Sequence, residues 1–144
     1  MSTHDALIEK LKKVLPQIDQ KSQQSTVIKI RLADVFAERA RLKAMAAGEK
    51  NCVDCKGAEQ DRREAIAYYL IGKNALKNSR DAEEIDTLQR ICLQLANLYT
   101  LNQQLKSAEN VYREILRDSR LKSSYSKAYL GIGEIHFRKS NYRG

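Results

Sequence analysis

The sequence predicts an all-α protein of about six helices, folded as antiparallel hairpins with an extra helix at the N-terminus. Apolar residues recur at helical spacing from end to end, and no stretch alternates polar and apolar as a half-buried strand does. One proline in 144 residues leaves few points where a helix must break. A composition of 42% hydrophobic and 31% charged residues suits a packed helical chain and excludes a disordered one. The length is that of one domain, enough to bury a core without disulfides or a metal.

The elements follow in order. Leu7, Ile8, Leu11, Val14 and Leu15 share one face of a first helix over residues 3–15, capped by Ser2 or Thr3. Pro16 ends or kinks it, and residues 17–25, polar except for Ile18, read as a turn. A second helix over 26–47 has Ile28, Leu32, Val35, Phe36, Ala40 and Met45 as candidate core residues. Residues 48–57 form the clearest loop. A third helix over 58–78 carries Ala65, Tyr68, Tyr69, Ile71 and Leu76 inward. A fourth follows residues 78–81 and runs to Leu101, a fifth covers 105–118, and a sixth begins near Ser124. Glu83 and Glu84 open the fourth helix, where negative charge suits the macrodipole better than it suits an acid–base pair.

The net charge is +8, concentrated toward the C-terminus, where residues 101–144 hold nine basic and four acidic side chains. These charges alternate in sign and lack interleaved aromatics, so a solvated face is read ahead of a nucleic-acid surface. No apolar run reaches the roughly 20 residues of a membrane span. The opening residues do not read as a secretory signal, which says little about the compartment: the cytoplasm, and the periplasm if a leader was removed, are both open.

Catalytic patterns are missing. His4 and His136 are the two histidines and have no metal-ligand spacing, and Gly131-x-Gly133 falls inside a helix instead of after a strand. Cys52-Val53-Asp54-Cys55 could carry chemistry, but one pair of thiolates is half of a structural zinc site. A loop disulfide or free thiols are read ahead of a redox centre or of a metal shared between two chains. No metal and no cofactor is expected.

The helices repeat. Leu95, Ala96 and Tyr99, followed by Ala108, Tyr112 and Ile115, match the L-G-x2-Y and A-x3-F positions of a helix–turn–helix repeat of about 34 residues, with Cys92 at its first aromatic position. Tyr129, Ile132 and Gly133 begin a later copy, 37 residues from Ala96 to Gly133. Leu32, Ala33 and Phe36, with Ala65 and Tyr69, form an earlier copy whose hairpin tip holds an insertion of about twenty residues relative to that pattern. On these residues the chain resembles the tetratricopeptide repeat family over 26–144; a helical bundle in which Ala and Tyr recur by chance is the alternative. The resemblance divides the chain into an N-terminal helix and linker at 1–25 and repeats at 26–80, 88–120 and 124–144. The last of these is the first helix of a hairpin.

The resemblance implies a right-handed superhelix with a concave groove. Carried over position by position, it places Arg90, Leu93, Asn97 and Thr100, then Lys127, Leu130, Glu134 and Phe137, on that groove, with Ile30, Asp34 and Ala37 from the first copy. Leu93 stands where some members use Lys to clamp a carboxylate, so a chaperone-tail clamp is not expected. It implies a non-enzymatic scaffold or adaptor that binds a peptide or partner helix. Phe137 and Tyr142, left uncovered, would promote self-association into a homo-oligomer. The alternative is a binder of nucleic acid or an anionic surface through the basic C-terminal third.

Overall fold

The computed structural model describes residues 2–46 and 57–143, with side chains as far as residue 140. Among these residues the protein is all-helical, with six α-helices and two short 3-10 turns. The chain forms two compact units, Met1–Ala75 and Leu76–Gly144.

In the first unit, α1 (Thr3–Val14) starts at a capping box: Asp5 N–H donates to Ser2 Oγ at 3.1 Å, and Ser2 N–H donates to Asp5 Oδ2 at 3.3 Å. Pro16 lies in a 3-10 turn, Leu15–Gln17, that ends the helix. Gln20 closes this end, its side-chain amide donating to the Leu15 and Ile18 carbonyls at 2.8 and 3.0 Å.

α2 (Gln23–Ala46) begins three residues before the sequence-based boundary at Thr26. The cause is Ser22, whose Oγ accepts from Ser25 N–H at 3.1 Å and so supplies the cap that the polar run 17–25 concealed. Leu32, Ala33, Val35, Phe36, Ala40 and Ala44 form its buried stripe. Met45, expected in the core, is exposed, because the stripe advances through Ala40 and Ala44 and carries position 45 outward.

α3 (Ala58–Leu76) follows Gly57, whose φ of +87° favours glycine. Ala65, Ile66, Tyr69 and Leu76 are buried. Ile71 is exposed by 43%, against the expectation, since the buried stripe passes through Tyr69 and Gly72 instead. Val14 on α1 is likewise exposed, whereas Ile8 is buried.

The second unit is a hairpin with a third helix against it. α4 (Ala82–Leu101) is capped by Asp81, which accepts from Glu84 N–H at 3.1 Å, with Glu83 and Glu84 in its first turn. Its C-terminus closes with paired bonds from Gln104 N–H to Tyr99 O at 2.8 Å and from Gln103 N–H to Thr100 O at 3.1 Å. This Schellman closure needs a left-handed residue, and Gln103 fills the place at φ +61°. α5 (Leu105–Leu116) then packs on α4, burying Ala108, Val111, Tyr112 and Ile115 against Leu88, Ile91, Cys92, Leu95 and Ala96.

A 3-10 segment, Ser119–Ser124, leads into α6 (Tyr125–Arg143), which packs on both α4 and α5. Arg120 organises this corner. Its guanidinium donates to Asp118 Oδ2 at 2.6 Å, to Ser79 O at 2.6 Å and to Lys77 O at 2.7 Å.

Candidate interaction face

α6 presents two opposed faces. Ala128, Gly131 and Ile135 are buried, and roughly 180° around the helix lie Tyr129, Leu130, Gly133 and Phe137. The three large side chains of the outer face are 64%, 74% and 66% exposed. Isolated exposed apolar residues are ordinary, but three on one stripe of one helix, without a charge among them, form a patch.

The two glycines do different work. A Cβ on Gly131 would stand 2.1 Å from Tyr112 Cζ, so glycine is what lets α6 approach the ring on α5. A Cβ on Gly133 would meet nothing within 4 Å. The sequence pattern assigned the packing role to Gly133 and Tyr129; in the folded unit both are exposed, and Gly131 with Ala128 takes the contact. The shift has a helical cause: positions 128, 131 and 135 face α5, and positions 129 and 133 then point away.

The other residues assigned to helix packing are placed as follows. Leu32, Ala33, Phe36, Ala65, Tyr69, Leu95, Ala96, Ala108 and Tyr112 are buried, and Tyr99 is half-buried. Tyr112 is held above its ordinary pKa of 10.0 by burial and then by the Glu134 charge.

Of the residues assigned to a groove, Arg90 and Asn97 are exposed on α4 with Leu93 half-buried beside them. Lys127, Leu130, Glu134 and Phe137 are exposed on α6. Thr100 is not on this surface: it is 4% exposed, and its hydroxyl donates to Ala96 O at 2.8 Å within its own helix. A short polar side chain on a buried stripe satisfies itself in this way, which residue spacing alone could not distinguish from an outward role.

In the first unit the corresponding positions are occupied. Ile30 is buried, and Asp34 accepts a hydrogen bond from the Tyr69 hydroxyl. α1 lies on α2, held by Arg39, which donates to Asp5 Oδ1 at 2.8 Å and to both oxygens of Asp61 at 2.8 Å. Lys43 reaches Asp61 at 2.9 Å, and the guanidinium of Arg39 sits 5.3 Å from the centre of the Phe36 ring. A cleft of about 300 Å³ beside α1 is lined by Asp5, Arg39 and Lys43 together with Leu42 and Ala46, and in it Asp5 is paired with Arg39 and Lys43 with Asp61.

The ties of Arg39 to Asp61 and of Arg120 to the Lys77 carbonyl escaped sequence reasoning because they span 22 and 43 residues. Cys52 and Cys55 lie outside the described residues. Among the described residues no group of three or more His, Cys, Asp or Glu could hold a metal ion, and no helix is long and apolar enough to cross a membrane. No family model, curated protein or solved structure matches the chain.

Proposed function

We propose that this protein is a non-enzymatic interaction module of stacked helical hairpins, similar in construction to tetratricopeptide repeats, that binds a peptide or partner helix. The binding surface is the exposed side of α4 and α6, with Leu93 and Asn97 on one helix and Leu130 and Phe137 on the other. The observation that carries this reading is the exposure of Leu130 and Phe137 on a helix whose opposite face is fully packed. Burying such side chains on a partner contributes about 1.5–3 kcal/mol each, which gives the surface a reason to be occupied.

Binding of nucleic acid or an anionic surface has less support. In the C-terminal third Arg113 and Lys139 pair with Glu109, Arg120 with Asp118, and Arg138 with Glu134. Cations held by neighbouring carboxylates offer little to a phosphate backbone.

The test is a selection of displayed random peptides on the full chain, followed by amide chemical-shift mapping of the enriched sequences. Perturbations confined to α4 and α6 are expected. Enriched peptides that map elsewhere, or a selection that enriches none, would remove the proposal.

A further inference from the structure

We infer that α1 is a detachable strap. It swings out on the linker at residues 15–22 and uncovers a groove on α2 that α1 of a second copy of the chain can enter. Every residue involved belongs to the unit Met1–Ala75, so the strap is independent of the surface on α4 and α6.

The hold on α1 is slight. Of its twelve residues Ile8 alone is buried, while Leu7 and Leu11 are half-buried and Val14 is exposed. Two clefts remain between α1 and α2. Beside the one of about 300 Å³ is another of about 220 Å³, with Thr3, His4 and Leu7 on one wall and Arg31, Asp34 and Val35 on the other. Such gaps forfeit contacts on both walls. The remaining ties are polar and wet. Asp5, its side chain 40% exposed, meets Arg39, and Lys12 Nζ lies 5.2 Å from the centre of the Phe36 ring. Ties of this exposure contribute little and are screened by salt.

α2 and α3 hold together without it. Arg39 donates to both oxygens of Asp61, the Tyr69 hydroxyl donates to Asp34, and the Tyr68 ring stacks on Phe36 with centres 6.1 Å apart. All three contacts join α2 to α3 and survive the departure of α1. The linker is built to serve as a hinge. Pro16 interrupts the helix, and the bonds that shape the turn run within it, from Ile18 N–H and the Gln20 amide to Leu15 O and from Ser22 N–H to Asp19 O.

Opening would bare Val35, which faces Leu7 across the smaller cleft, and Phe36 beneath Lys12; both are buried when α1 is in place. The helix whose fit to this groove the structure displays is α1, and a second copy carries the same helix. Exchange of an identical element between copies is a low-cost route to association. The short linker holds each strap at an effective concentration on the order of millimolar, so its own strap wins until that strap is weakened.

The experiment begins with hydrogen exchange on the full chain. Amides of residues 7–12 are expected to exchange at least about tenfold faster than those of residues 32–40 in α2. Ile8→Ser should speed α1 further and leave α2 unchanged. A labelled peptide of residues 2–17, in the wild-type sequence, is then titrated into the wild-type chain and into Ile8→Ser and Asp5→Asn. It should bind either variant about tenfold or more tightly than the wild type, because the resident strap competes less. Equal exchange in α1 and α2 would make α1 part of the core and remove the strap. So would an Ile8→Ser chain whose circular dichroism shows the first unit unfolded. Fast exchange in α1 with no peptide binding to either variant would overturn the groove and its second-copy occupant.

Discussion

The ring of Tyr112 occupies the space a Cβ on Gly131 would need, its Cε2 2.4 Å and its Cζ 2.1 Å from that position. The α5–α6 contact therefore depends on a missing side chain, and the two glycines of α6 should respond oppositely to the same change. Gly131→Ala must push the ring or the helix aside, and should lower stability by about 1–3 kcal/mol. Gly133→Ala meets open space and removes a flexible residue from a helix, so it should raise stability by about 0.5–1 kcal/mol. Urea unfolding of both variants checks the pair; equal effects would mean that the ring contact is not what positions α6.

Gln103 holds a left-handed conformation, φ +61°, at the closure of α4, and its side-chain oxygen is buried without a hydrogen-bond partner. Glycine adopts this backbone without the side-chain clash, and the orphaned oxygen disappears with the substitution. Gln103→Gly should therefore stabilise the protein by about 0.5–1 kcal/mol, with some of the gain offset by the greater freedom of glycine in the unfolded chain. A fall in the denaturation midpoint would contradict this account of the turn.

Asp61 is the buried anchor of the first unit, its side chain 4% exposed between Arg39 and Lys43. Arg39→Met takes away the bidentate partner and leaves the carboxylate to Lys43. A loss of about 2–4 kcal/mol is expected, less than for a fully orphaned charge because Lys43 stays within reach. Arg39→Met combined with Asp61→Leu removes the stranded charge as well. The double variant should be more stable than Arg39→Met alone, and a chemical-denaturation cycle of the four proteins measures the coupling.

Acid should weaken the second unit by a definable route. The Arg120 guanidinium, donating to the Asp118 carboxylate, holds its pKa below the ordinary 3.8. Hydrogen bonds from Arg113 and then Lys139 likewise hold Glu109 below 4.5. A carboxylate with a depressed folded pKa binds its proton more readily when unfolded. Its stabilisation is present above the unfolded value and is lost as the pH falls through the folded one. The melting temperature should therefore decline from about pH 4.5 downward, and Asp118→Asn should flatten that decline while lowering stability at neutral pH. An unchanged pH profile in the variant would show that Asp118 contributes nothing to the acid response.

The exposed face of α6 carries its own prediction. Leu130→Ser and Phe137→Ser remove side chains that are already in water, so thermal stability should change by no more than about 0.5 kcal/mol. Hydrogen-exchange protection across α6 should likewise stay as in the wild type. A large loss of stability would mean that these side chains support the fold itself.

Much of the architecture was legible in the residues, because helix ends are set by neighbours in the chain. Ser2 with Asp5, Pro16 and Asp81 mark boundaries through contacts spanning a few residues. Ser22 was equally local but lay inside a polar run that resembled a turn. The faces were harder to read. Thr100 sits at a position whose spacing suits an outward role, yet it is buried with its hydroxyl turned back on Ala96. Met45 and Ile71 are apolar and helical, and neighbours one or two positions away took the buried stripe instead.

The sequence by itself determined that the chain is helical, where most of its helices begin and end, and which residues are apolar enough to pack. Those outcomes depend on propensity, caps and spacing, all properties of neighbouring residues. Tertiary structure decided which of the two glycines meets Tyr112, and therefore which apolar residues of α6 remain in water. It also joined Arg39 to Asp5 and Asp61, and Arg120 to the carbonyls of Lys77 and Ser79. Each choice turns on how one helix is rotated against another far along the chain, and a rotation of one residue's width exchanges a buried face for an exposed one.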